Sequence, residues 1–171
     1  MCATGFDALT GSIDAIDIRG RSGHLLKDVW RNDDLRSYLG VTVSDFPNLF
    51  MMVGPHTPAG NIAAVIQAQA EWLSRVLIWA RDQSVEILES NRELDLGWAE
   101  TSREAVRGTV MSKYAREARA WFFGHNVDGK PVGVNTYFGG FPEYLRTLED
   151  VEARGWEDFV SNDDTVQANR S

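Results

Sequence analysis

The stretch from Phe46 to Arg81 constrains the fold more than any other part of the chain. Pro47 and Asn48 punctuate it, and Leu49-Phe50-Met51-Met52-Val53 follows as a continuous apolar run, the pattern of a strand buried on both faces. Gly54-Pro55-His56-Thr57-Pro58-Ala59-Gly60 cannot continue a strand and reads as a loop. Asn61 is a good helix N-cap, and Ile62, Val65, Ile66, Gln69, Leu73, Val76, Leu77 and Ala80 recur at helical spacing on one face. Strand, Gly/Pro loop and helix N-terminus together form either an ordinary α/β connection or the arrangement α/β proteins use to hold ligands. The residues alone leave both open.

Around this unit the pattern is weaker. Ile13, Ile16 and Ile18, the turn residues Arg19 to Gly23 and then His24-Leu25-Leu26 predict a hairpin, with His24 a solvated strand residue. A second helix is predicted over roughly Asp95 to Arg119, with Trp98, Ala105, Val106 and Val110 inward. A third runs from Glu143 to Arg154, with Tyr144, Leu145, Leu148 and Val151 on its apolar face and Gly155 as its C′ residue. Trp72, Trp79 and Trp98 fall on helices and read as core or interface. Trp121 stands where a helix gives way to a Gly/Asn-rich loop, where it either packs or walls a cavity.

Composition narrows the function more by exclusion. The 171 residues are 43% hydrophobic and 25% charged, which fits one ordinary globular domain. The net charge of −8 is concentrated late: from Glu149 onward there are seven acids against two bases. With no Lys/Arg cluster, neither nucleic acid nor an anionic membrane is an expected partner. Cys2 is the single cysteine, so neither an internal disulfide nor a multi-Cys zinc site is expected. No apolar run reaches membrane-spanning length and residues 1–5 do not read as a signal peptide, so a cytoplasmic setting is expected. There is no Walker loop, GxGxxG, GxSxG or HExxH, and His56 and His125 lie far apart, so no metal site is expected. Glu149-Asp150 and Asp163-Asp164 read as solvated surface. Unaided, these residues name no reaction.

A family resemblance does. It rests first on Ala3-Thr4-Gly5-Phe6-Asp7-Ala8-Leu9-Thr10-Gly11, Ile16-Asp17-Ile18-Arg19-Gly20 and Tyr38-Leu39-Gly40-Val41-Thr42. It continues through Asp45-Phe46-Pro47-Asn48-Leu49-Phe50, Gly54-Pro55, Ala120-Trp121-Phe122, Gly124, Asn126 and Gly129-Lys130-Pro131. It closes on Gly139-Gly140-Phe141, Tyr144 and Gly155-Trp156-Glu157-Asp158-Phe159-Val160. In this order the blocks resemble the C-terminal third of FAD- and NADPH-dependent Baeyer–Villiger monooxygenases, of the cyclohexanone and phenylacetone monooxygenase type. The family's two GxGxxG motifs, its FxGxxxHxxxW fingerprint and its oxygenation arginine have no counterpart here, so the chain reads as beginning inside a longer protein.

The resemblance implies an α/β fold: the C-terminal part of a two-dinucleotide-binding-domain flavoprotein, incomplete as a fold on its own. Residues 1–82 would be the linker from the NADPH domain and the returning part of the FAD domain. Residues 83–160 would form a C-terminal extension lining the substrate pocket, and 161–171 a disordered tail. The implied cofactors are FAD and NADP, and the implied partners are a ketone and O₂. Gly54 and Pro55 would let the backbone approach the flavin, and the helix N-terminus at Asn61 and Ile62 would face its pyrimidine end. Trp121 would contact the nicotinamide nucleotide and the substrate cavity. No catalytic residue is expected in the segment itself. His56-Thr57-Pro58-Ala59 departs from better-known members, so substrate preference does not carry over. The contrasting expectation is a non-catalytic remnant, or a subunit that complements a separate N-terminal chain.

Overall fold

The computed structural model describes residues 7, 10–32, 35–114, 117–125, 127–128 and 132–159. The expectations for 1–6, for Ala8 and Leu9, for Asn126, for Gly129-Lys130-Pro131 and for 160–171 lie outside the described residues. The elements run α1 (Gly11–Asp14), α2 (Leu26–Asn32), β1 (Thr57–Pro58), α3 (Ile62–Asp82), α4 (Arg92–Val106) and α5 (Val110–Tyr114). A 3-10 turn (Trp121–Phe123), β2 (Thr136–Tyr137) and α6 (Phe141–Ala153) follow. The result is a mixed helix-and-strand fold in which helices dominate. β1 and β2 pair in parallel, Thr57 opposite Thr136 and Pro58 opposite Tyr137.

Local capping residues fix the starts of α3 and α4 and the end of α6. Asn61 caps α3 with its side-chain oxygen accepting from the Ala63 and Ala64 amides, and Asn91 caps α4 by accepting from Leu94. α6 starts with Pro142 in its first turn and stops at Gly155, whose φ of +73° suits a residue without Cβ. There the Gly155 amide donates to Glu152 and the Trp156 amide to Val151, the paired bonds that close a Schellman end. α3, α4 and α6 enclose the main core with the 38–41 turn. Trp72 is its centre, edge-on to Trp156 at 5.2 Å between centroids, with its indole N–H donating to the Leu148 carbonyl at 2.9 Å.

Four expectations need correction. The hairpin reduces to one antiparallel bridge, Arg19 to Leu25, because Gly11–Asp14 and Leu26–Asn32 are helical. The apolar run Leu49–Val53 is not a strand: among the described residues no strand lies beside it, and Val53 has φ +58°. The second helix breaks after Val106, where Arg107 turns to ψ 128° and Gly108 takes φ +76°, which leaves Val110 72% exposed rather than inward. On α3 the buried stripe is Val65, Gln69, Trp72, Leu73, Val76 and Ala80. Ile62, Ile66 and Leu77 are exposed, so the apolar face of α3 is wider than the surface it covers.

Candidate functional site

The loop before α3 is held by an unusual backbone. Of the eight described non-glycine residues with positive φ, five fall between Leu39 and His56: Leu39, Asp45, Asn48, Val53 and His56. Each costs conformational energy that surrounding contacts must offset. A relay through buried Gln69 and Tyr144 does so for Val53 and Leu39. The Val53 amide donates to Gln69 Oε1 at 2.9 Å, Gln69 Nε2 donates to Tyr144 Oη at 2.9 Å, and Tyr144 Oη donates to the Leu39 carbonyl at 2.8 Å. Gln69 and Tyr144 are fully buried, and burial pushes the Tyr144 phenol up, which keeps it a donor. Tyr38, buried and hydrogen-bonded to Asp158, is pushed up as well.

A second buried group ties this loop to α4. The Asp95 carboxylate accepts from the Ser44 amide and Ser90 Oγ, both at 2.8 Å, and Arg36 Nε lies 3.6 Å away. Burial raises the Asp95 pKa against the lowering effect of those donors and of Arg36.

Of the residues expected to touch a ligand, the structure separates Gly54 and Pro55 from the others. Gly54 is buried, and a Cβ there would meet the Gly40 carbonyl at 2.6 Å. Its lack of a side chain therefore serves packing against the 39–40 turn, where its amide also donates to the Gly40 carbonyl at 3.0 Å. Pro55 is buried, and its carbonyl accepts from Ser37 Oγ. Asn61 and Ile62 are exposed at the positive end of the α3 dipole. Trp121 is 39% exposed and lies on Phe122 with centroids 3.7 Å apart. It is half open rather than core.

Backbone bonds bring the Trp121 turn and the 54–61 loop onto one short frame. The Asn135 amide donates to Phe122 at 2.8 Å, the Gly133 amide to Phe123 at 3.1 Å and the His56 amide to Asn135 at 2.8 Å. Beside this frame, a concavity of about 680 Å³ lies between the end of α4, α5 and the turn. Val106, Phe123 and Val134 line it with Arg103, Arg107 and Lys113. Among the described residues no group of three or more His, Cys, Asp and Glu could hold a metal ion, and no helix is long and apolar enough to cross a membrane.

Comparison with known proteins identifies the chain's relatives. The chain is 36% identical over 162 residues to a phenazine N-monooxygenase of Lysobacter antibioticus, covering 95% of this chain and 29% of that protein. It is 36% identical over 159 residues to cyclohexanone 1,2-monooxygenase of an Acinetobacter species (93% and 28%). It is 34% identical over 158 residues to a Baeyer–Villiger monooxygenase of Pseudooceanicola batsensis (92% and 28%). Over nearly its whole length, the chain is homologous to Baeyer–Villiger monooxygenases. Solved structures agree in fold. Cyclohexanone monooxygenase from Rhodococcus sp. Phi1 bound to NADP⁺ matches with a TM-score of 0.85 at 36% identity, over 93% of this chain and 29% of that one. OTEMO in complex with FAD and NADP matches at 0.80 and 32%, over 92% and 28%. No protein-family model matches the chain. The chain spans less than a third of the length of these monooxygenases.

Sequence reasoning missed His56 and the Gln69–Tyr144 relay as organisers of this loop. Gln69 carried a readable signal, a polar side chain in an otherwise apolar inward stripe. His56 carried none.

Proposed function

We propose that the chain is the C-terminal part of a flavin-dependent monooxygenase that inserts one oxygen atom of O₂ into a ketone to give an ester or lactone. NADPH supplies two electrons, and the second oxygen atom leaves as water. The supporting observation is the homology, continuous over more than nine-tenths of the chain, to proteins that share this chemistry. On this reading residues 1–82 complete the FAD-binding domain, residues 83–160 wall the substrate pocket, and the protein works in the cytoplasm.

FAD, when bound, supplies the oxygen-activating redox chemistry. The residues here fit only one end of it. No loop among the described residues is built to cradle a pyrophosphate, whereas the exposed N-terminus of α3 offers a positive dipole end to the negative charge of a reduced flavin ring. Asn61 already occupies the Ala63 and Ala64 amides, so its contribution there is to keep the helix end ordered. Trp121, half exposed with an indole N–H, serves as a wall and donor toward the nucleotide and ketone.

The wide apolar face of α3 favours a partner surface belonging to the same enzyme, in the same or a separate chain, that carries the two dinucleotide motifs. The test compares two preparations. The 171-residue chain alone should be colourless after gel filtration and should not oxidise NADPH in response to ketones. Joined to, or mixed with, a segment carrying both GxGxxG motifs and FxGxxxHxxxW, it should turn yellow and yield an ester or lactone. A stoichiometric yellow complex of the chain alone, or a restored flavoprotein that forms no ester from any ketone, would overturn the proposal.

A further inference from the structure

His56 engages three different residues from a left-handed backbone. Its amide donates to the Asn135 carbonyl at 2.8 Å, its carbonyl accepts from Trp98 Nε1 at 3.1 Å, and its ring Nε2 lies 2.9 Å from the Val134 carbonyl. A carbonyl oxygen only accepts, so Nε2 carries the hydrogen and the ring is the neutral Nε2–H tautomer. Nδ1 is buried without a hydrogen-bond partner among the described residues, and the residue as a whole is 1% exposed at φ +63°. A left-handed, fully buried histidine is an expensive way to fill space, which argues that its bonds matter.

Those bonds lie where two segments meet. β1 and β2 fix Thr136 and Tyr137 to the loop. The imidazole carries that attachment two residues further, to Val134, and the Phe122 and Phe123 carbonyls accept from Asn135 and Gly133 on either side. We infer that His56 is a positioning residue: its Nε2–H bond to Val134 sets the Trp121 turn against the 54–61 loop. This rests on the reading of those two segments as walls of one ligand site. A second proton on the ring would place an N–H on buried Nδ1, where burial opposes the added charge and the nearby charge of Arg103 on α4 opposes it further. The latch therefore works in its neutral form.

The test needs no ligand. The chain is labelled with 5-fluorotryptophan, the Trp121 resonance is assigned through Trp121→Phe, and His56 is replaced by leucine, which cannot donate, and by glutamine, which can. Long-range ¹H–¹⁵N spectra of the unmutated chain should show the Nε2–H tautomer. His56→Leu should shift the Trp121 resonance by more than its linewidth while Trp30 and Trp72 stay in place, and His56→Gln should recover most of the difference. The Nδ1–H tautomer in the unmutated chain would overturn the inference. So would an unmoved Trp121 in a folded His56→Leu, or equal disturbance of every tryptophan in His56→Gln. If His56→Leu does not fold, the tautomer and the glutamine variant decide. A failure here leaves the monooxygenase reading to its own yellow-complex and turnover measurements.

Discussion

Two irregular stretches of this chain are built on opposite terms. Between Arg36 and Pro58 almost every residue is buried or half-buried, and the awkward backbone is held by Gln69, Tyr144, Asp95 and Glu89 reaching in from other segments. From Val106 to Val132, the buried cluster among the described residues centres on Val106 and Phe123, and Val110, Met111, Tyr114, Trp121 and Val132 are exposed. Irregular backbone is thus no guide to rigidity. What separates the two is whether the polar groups of each stretch meet buried partners and whether its apolar side chains are covered. The first stretch is a frame and the second is a surface set on it.

The sharpest way to break that contrast is to make the same substitution in both places. Trp72→Ala removes a fully buried ring, its contacts with Trp156 and Phe159 and its bond to Leu148, and should cost about 3–5 kcal/mol of stability. Trp121→Ala removes a half-exposed ring and should cost under about 1 kcal/mol. Urea denaturation measures both. Equal losses would mean that the Trp121 segment is as much core as the first stretch, and Trp121 would then lose its claim to a ligand.

Acid should act on the frame through His56. Burial lowers its pKa to about 4 from 6.5, so the folded protein resists a proton that the unfolded chain accepts. The stability this represents is complete above pH 6.5, is lost as pH falls through the window, and is gone below about 4. Its size is about 3 kcal/mol at most. Stability measured from pH 7 to 4 should fall in the parent chain and fall less steeply in His56→Gln. Identical slopes would place the pH dependence elsewhere. The relay is the next weaker point. Gln69→Leu leaves the half-buried Val53 amide without its acceptor and should cost about 1–3 kcal/mol. Ser74→Ala on the exposed side of α3 should cost under about 0.5 kcal/mol.

This split also explains what the sequence could and could not reveal. Asn61 and Gly155 act through their own neighbours in the chain, so the start of α3 and the end of α6 were legible. The family was legible because its blocks are ordered along the chain. Leu49–Val53 was misread because an apolar run looks the same whether or not a strand lies beside it, and only tertiary context decides. The left-handed Leu39 and Val53 were invisible for a related reason: their strain is offset by Gln69 and Tyr144, 16 and 105 residues away in the chain. Trp121 was singled out from its family block, but its half-exposure required the structure.

A modest expected effect separates the two roles open to Asn61. As an N-cap it accepts from Ala63 at 3.1 Å and Ala64 at 3.3 Å, and Asn61→Ala should cost about 1 kcal/mol, measured by urea denaturation of the 171-residue chain. Asn61→Ser restores a capping oxygen and should recover most of that loss, because serine caps nearly as well as asparagine. What serine lacks is the amide N–H₂, the part of Asn61 that points away from its capping duty. If Asn61 only orders the helix end, Asn61→Ser in the restored flavoprotein should leave ketone-dependent NADPH oxidation unchanged. If its amide also meets the flavin or the substrate, Asn61→Ser should keep the stability and lose turnover. A variant that regains its stability but oxidises NADPH at the rate of Asn61→Ala would therefore move Asn61 from the frame to the surface.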